Sequence, residues 1–349
     1  MEYRALGGTG VQVSRLCLGS MMFGAWGNKD PELSVRMIHR ALDAGINIID
    51  TADLYAKGQS EEIVGQALAG GRRDDVIIAT KFYFPMGEDR NAGGTSRRWI
   101  YRAVEGSLRR LRTDWIDLYQ MHRWVPEVDH EETLGALDDL VRQGKVRYIG
   151  SSTLPADQIV ETQWVARDRR LQRYVCEQPP YSLLVRGIEA DVLPVCARHR
   201  MGVIVWSPLA AGWLSGKWRK NAEGLRSRRL SWLPARFDLS LPANQAKLAA
   251  ADAFAVLAGE LGIPLIHLAL AFVLNHPAVT SAIIGPRTME HLESQLGAAG
   301  IRLDAATLDR IDQIVPPGCV VNPVDTGWDN QALEPAALRG RASNRVDVS

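Results

Sequence analysis

With 349 residues, 46% of them apolar, the chain can bury a sizeable core, which fits one large α/β barrel or two ordinary domains. Its formal net charge of +1 and scattered basic residues leave no electrostatic footprint for nucleic acid or an anionic membrane. No apolar run approaches the roughly 20 residues needed to cross a bilayer. The Met1-Glu2-Tyr3-Arg4 start also lacks a signal-peptide core, so a cytoplasmic protein without membrane insertion is expected.

In chain order, Tyr3 to Ser14 holds the turn Gly7-Gly8-Thr9-Gly10 between two short β-compatible runs, a hairpin able to plug one end of a barrel. Arg15 to Gly19 is the first strand, opening into the apolar loop Ser20 to Trp26. Asp30-Pro31-Glu32 then starts a helix with a capping acceptor, a proline in the first helical position and an acid in the first turn; Gly45 ends it. The pattern repeats. Strands at 47–50, 76–80, 116–120, 146–150, 174–177, 202–206 and 281–284 follow, and helices are expected from Ser60 to Ala69, Arg97 to Leu111, Glu131 to Gln143, Pro155 to Arg167 and Glu189 to His199, with one capped by Thr288 after the last strand.

Short β-branched strands alternating with helices imply parallel strands buried on both sides, and eight such units make a (β/α)₈ TIM barrel. The alternative is a doubly wound sheet, but no Gly-x-Gly-x-x-Gly follows the first strand. The barrel is expected over 1–315, ending in a helix from Leu303 to Val315. A proline-rich, then polar C-terminal tail, 316–349, lies over the barrel and is ordered in part at most, its last dozen residues disordered. The insertion from Ser215 to Leu241 exceeds ordinary loop length and reads as a lid or substrate loop. The four cysteines are far apart, and Cys17, Cys176 and Cys196 read as reduced packing residues.

In such a barrel the functional face lies at the C-terminal ends of the strands. Asp50 and, one short loop on, Tyr55 follow the second strand; Lys81 ends the third and His122 the fourth. An ammonium about 4 Å from a phenol favours the phenolate by about 4 kcal/mol at an effective dielectric near 20, before desolvation losses. A carboxylate beside the lysine keeps it charged. Tyr55 is then a usable acid for a developing alkoxide, and His122 a second donor to the same oxygen. Each residue alone has an ordinary reading as a cap, a loop residue or a packing aromatic; four proton-handling groups on three successive strand ends do not. A metal site would need closely spaced His or acidic ligands, and none is expected.

At these residues the sequence resembles the aldo-keto reductase superfamily, from about Tyr3 to Val315, with Asp50, Tyr55, Lys81 and His122 matching the family's catalytic tetrad. The resemblance implies an NADPH-dependent oxidoreductase that reduces an aldehyde or ketone by direct hydride transfer, with Tyr55 as proton donor. It places Ser151, Ser152 and Gln178 at the nicotinamide carboxamide, Ser152 standing where the family commonly has the longer Asn, and Trp206 of Trp206-Ser207-Pro208-Leu209 against the nicotinamide ring. Gly212, Leu214 and Lys217 resemble the loop around the pyrophosphate. Gly285 and Arg287 open a helix at the 2′-phosphate, favouring NADPH over NADH, with His291 and Gln295 on the same helix lining that phosphate and the adenine.

Met22, Phe23, Trp26, Tyr83 and Trp124, with Trp213 a further choice, would wall an apolar substrate mouth. The expected partner is a small-molecule carbonyl compound. The sequence is similar also to the β subunits of potassium channels around Trp206 to Ala210, so an NADPH-binding regulatory subunit stands as an alternative. A ketosugar reductase and a nonredox barrel isomerase are further ones.

Overall fold

The computed structural model describes residues 1–222, 227, 230–231 and 233–327; the end of the tail and its expected disorder lie outside the described residues. Eight parallel strands close a barrel: β3 (Leu16–Gly19), β4 (Ile48–Asp50), β5 (Ile77–Phe82), β6 (Ile116–Met121), β7 (Val146–Ser152), β8 (Cys176–Gln178), β9 (Gly202–Val205) and β10 (Ser281–Ile284). The ring shuts where β10 pairs with β3, Ala282 opposite Leu16 and Ile284 opposite Leu18. This is the expected (β/α)₈ barrel.

The antiparallel hairpin of β1 (Tyr3–Ala5) and β2 (Gln12–Ser14) plugs the N-terminal end. Leu6 and Val13 pack with Cys17, Ile48, Ala79, Leu118, Cys176 and Ile204, which face one another inside the barrel. Gly7, at φ +59°, lies so near the start of β9 that a Cβ there would sit 2.4 Å from the Gly202 nitrogen. Only glycine fits.

A larger apolar layer joins the barrel's outer face to the helices α1 (Pro31–Asp43), α2 (Gln59–Ala67), α3 (Arg97–Leu111), α4 (His130–Arg142), α5 (Ala156–Arg169), α6 (Val192–Arg198) and, later in the chain, α7 (Pro234–Phe237), α8 (Pro242–Glu260), α9 (Leu265–Asn275), α10 (Met289–Leu296) and α11 (Ala305–Ile314). Caps set several starts: Asp30 accepts from the Glu32 and Leu33 N–H groups, and Ser96, Asp129, Thr288 and Asp304 act likewise. The helix expected from Glu189 begins later, since Gly187–Glu189 is a separate 3₁₀ turn held by an Arg186–Glu189 ion pair. The insertion after β9 contains α7.

Residues 316–327 pack on the barrel: Val320 bridges Val185, and Asn322 and Asp325 are buried. Asp325 receives Arg236 Nε from α7 and Lys247 Nζ from α8, each at 2.6 Å. Lys247 also donates to the Arg236 carbonyl and lies over the Trp213 ring. This clasp joins the tail to the insertion. Among the described residues no single helix is long and apolar enough to cross a membrane.

Candidate active site

Strand geometry brings the four proton-handling residues together. Asp50 ends β4, Lys81 lies in β5 opposite Gln120 of β6, and His122 follows β6 with its backbone N–H on the Phe82 carbonyl. Tyr55 opens a tight turn in which Ala56 (φ 49°) and Lys57 (φ 56°) are left-handed, a conformation that costs a non-glycine residue energy and that α2 and β5 hold in place. Lys81 has no solvent exposure; its Nζ donates to Asp50 Oδ2 (2.7 Å), the Thr51 carbonyl (2.9 Å) and Tyr55 Oη (3.3 Å). The imidazole of His122 meets the Tyr55 ring edge-on at 5.9 Å.

Burial depresses the Lys81 ammonium, but Asp50 and Tyr55 more than offset this, and its pKa is raised. For Tyr55 burial outweighs the pull of Lys81, so the phenol lies above its ordinary value; the lowering expected from the lysine is present but loses. Burial, then Lys81 and Arg123, hold His122 well below its usual range, which makes it a neutral imidazole near pH 7. Its Nδ1 is sealed without a hydrogen-bond partner among the described residues, so Nε2 is the ring nitrogen left to meet a ligand.

Beside this group lies a polar wall from β7 and β8. Gln178 Nε2 donates to Asp50 Oδ1 (2.7 Å), leaving its Oε1 to accept from a ligand. Asp50 therefore joins Lys81 to Gln178. Ser152 Oγ donates to the Gln178 carbonyl (2.9 Å), while Ser151 Oγ bonds Glu177, whose other oxygen takes the Leu154 N–H (3.1 Å). Burial pushes the Glu177 carboxyl up to about 7. Trp206 is half-buried; its Nε1 donates to Thr153 Oγ1 (3.3 Å), and Gly327 of the tail lies at the ring edge, where a Cβ would come within 3.0 Å.

Ahead of the insertion, the chain leaving β9 has Ser207, Ala210, Ala211 and Gly212 at positive φ, Pro208 buried and Leu209 packed on the core. Leu214 is fully buried, whereas Lys217 is exposed. After β10, Gly285 is exposed and Arg287 half-buried ahead of α10. Arg287 and Lys217 act together on His291, both lowering its pKa after burial has done so, which marks one cationic cluster built from two distant segments. Gln295 is buried, its Nε2 donating to the His291 carbonyl (2.7 Å), so only its oxygen is free.

The aromatic residues divide. Trp26, 43% exposed, tilts over Tyr55 with ring centroids 6.2 Å apart. Tyr83 and Trp124 are half-buried, and Met22 is buried. Phe23 sits wholly in the core, with no surface open to a mouth, and Trp213 is buried in a stack with Trp218 and Phe237. Sequence reasoning missed Glu177, Arg123, Thr153 and the tail residues Asp325 and Gly327. An acid in an apolar strand was a readable signal for Glu177; the tail gave none.

Fold and site together define a class of protein: a (β/α)₈ barrel enzyme with a lysine-held phenol at the C-terminal mouth. The family model for the aldo/keto reductase family matches residues 15–316, and the chain belongs to that family. It is 42% identical to an uncharacterized oxidoreductase of Bacillus subtilis over 91% of this chain and 97% of that one. A probable voltage-gated potassium channel β subunit of Arabidopsis thaliana is 34% identical (90% and 97% covered), and versiconal hemiacetal acetate reductase of Aspergillus parasiticus 32% (92% and 98%). The chain is thus an oxidoreductase of a family that acts on carbonyl compounds with NAD(P)H.

Proposed function

We propose that the protein reduces an aldehyde or ketone to an alcohol with NADPH, Tyr55 supplying the proton. The observation that carries this reading is the bridge from Asp50 through Lys81 Nζ to Tyr55 Oη, beside a neutral His122. The residues fit the cofactor. A Gln178 oxygen with no partner among the described residues suits a carboxamide N–H, with the buried Ser151 and Ser152, whose hydroxyls donate to Glu177 and the Gln178 carbonyl, supporting that wall from behind; the half-buried Trp206 face suits the nicotinamide ring, and the Lys217–Arg287–His291 cluster suits phosphate, Arg287 favouring the 2′-phosphate form.

When bound, NADPH supplies the hydride. Tyr55 gives up its proton to the carbonyl oxygen as charge builds there, and Lys81 stabilises the phenolate left behind. His122 Nε2 holds the same oxygen, and Asp50 keeps Lys81 charged and aimed. The raised pKa of Tyr55 keeps its proton in place until that charge appears. The barrel over 1–315 is the catalytic unit, and residues 316–327 its cover.

Tyr55→Phe should abolish NADPH oxidation across an aldehyde and ketosugar panel while NADPH still quenches tryptophan fluorescence. Retained turnover would sink the mechanism. Full-length similarity to channel β subunits favours a second reading, an NADPH-binding regulatory subunit; negligible turnover on the panel together with co-purification of a membrane partner would select it.

A further inference from the structure

Arg236 and Arg123 lie beside the tail residues Asp325 and Gly327, and of these two only Arg236 has a carboxylate among the described residues. Arg236 is neutralised by Asp325 at 2.6 Å. Arg123 follows His122 directly, and its Nη1 folds back onto the His122 carbonyl (2.6 Å) and the Thr153 hydroxyl (3.3 Å). Both are neutral acceptors. Among the described residues the guanidinium forms no ion pair, and its Nη2 and Nε are neither hydrogen-bonded nor sealed from solvent.

The position of that free edge is fixed by the tail. A Cβ at Gly327 would lie 3.7 Å from Arg123 Nη2 and 3.0 Å from the Trp206 ring, so the unbonded Nη2 lies near the edge of the indole. Tyr55, Glu177 and Tyr83 are near enough to support the cation electrostatically, with Arg236 opposing them, while burial remains the largest influence and lowers its pKa. Glu177 does not serve as its counter-ion: one oxygen is taken by Ser151 and the other by the Leu154 N–H, and burial leaves its carboxyl half-protonated near neutral pH. A half-buried guanidinium in this state gains most from a carboxylate delivered by a ligand, because a charge-assisted fork is stronger and more directional than a bond to water.

We propose that Arg123 is a specificity-determining residue that selects carbonyl substrates bearing a carboxylate, the guanidinium edge beside Trp206 taking the carboxylate while the carbonyl oxygen meets Tyr55 and His122. This rests on the reductase reading of the same site. One charge-assisted contact of this kind corresponds to a preference of about 10- to 100-fold over a neutral analogue.

The full-length protein with NADPH is assayed on 4-carboxybenzaldehyde against 4-methylbenzaldehyde. In Arg123→Gln the ratio of the two kcat/KM values should fall about 10- to 100-fold, mainly through KM for the acid, and Arg123→Lys should restore part of it. A ratio that moves less than threefold overturns the proposal, as does an equal loss on both aldehydes, which would make Arg123 a prop for His122 and Thr153. A loss confined to NADPH affinity overturns it too, by giving the guanidinium to the cofactor. A second measurement needs no turnover: benzoate should quench tryptophan fluorescence at a lower concentration than benzamide in the parent, and Arg123→Gln should erase the difference. Equal binding in the parent refutes the carboxylate site even in an active reductase. A benzoate preference without turnover of any aldehyde leaves the site standing and sinks the reductase reading alone.

Discussion

Replacing Lys81 with Met separates what this ammonium does for stability from what it does for chemistry. It is buried, and it donates to Asp50 Oδ2 at 2.7 Å and Tyr55 Oη at 3.3 Å. At that second distance and an effective dielectric near 20, the ammonium favours the phenolate by about 5 kcal/mol, an upper bound because Asp50 offsets part of it. Lys81→Met should therefore slow turnover about 10²- to 10⁴-fold, read as NADPH oxidation at saturating aldehyde. It also strands the Asp50 carboxylate, at a cost of about 3–5 kcal/mol in chemical denaturation. The double variant Asp50→Asn/Lys81→Met removes both charges and should recover much of the stability without the rate. Turnover within tenfold of the parent in a folded double variant would refute the role given to Lys81, and rate recovery in step with stability would show that its effect on chemistry is only structural.

Three further outcomes are expected. Burial, then Glu61, pushes the Asp53 carboxyl up to about 8, a rise that the nearby Leu54 N–H and the Arg110 and Lys81 charges only partly offset. The folded state therefore holds a proton that the unfolded chain releases above about pH 4, so this group's contribution is fully present below that pH and is lost as pH rises to about 8. Asp53→Asn should show a Tm advantage that grows from pH 5 to 8; a constant difference would contradict the assignment. His122 has the opposite sign: its depressed pKa means the unfolded chain takes up a proton below about pH 6.5 that the folded one refuses, so stability falls as pH drops from there. His122→Gln should flatten that limb in denaturation measured from pH 7 to 5, by up to about 1.4 kcal/mol per pH unit. Asp325→Asn should strand Lys247 and Arg236, lower Tm and speed NADPH release in stopped-flow fluorescence; an unchanged release rate would mean that the clasp does not hold the insertion.

The sequence made the barrel legible because each strand carries its own signal, a short β-branched run ending where a helix cap begins. Asp50, Tyr55, Lys81 and His122 were readable for the same reason, since the C-terminal ends of neighbouring strands must converge. What escaped was set by long-range packing. Whether Phe23 faces the mouth or the core depends on how its loop folds back over α2, which the apolar character of the loop does not encode. The balance at Tyr55 was misjudged because burial, the larger influence on its acidity, is a property of the assembled barrel and not of the Tyr–Lys pair. Nothing in Asn322 to Gly327 marks them as neighbours of Trp206 and Arg236; Asp325 lies 89 residues beyond Arg236 in the chain.

The pairing of β10 with β3 joins residues 282–284 to residues 16–18. Below that seam, Arg15 Nη2 donates to the Leu274 carbonyl and Arg4 to the Val279 carbonyl. During synthesis at roughly 5–20 residues per second, the first barrel strand waits on the order of 15–60 seconds for its last partner to emerge. Once β9 has emerged and until β10 follows, the barrel has two open edges, on β3 and β9, both lined with apolar side chains and unpaired backbone groups. The hairpin covers the N-terminal end but neither edge. The hazard for this chain in the cell is therefore greatest just before completion, and a pause in translation between the codons for 206 and 281 would lengthen it.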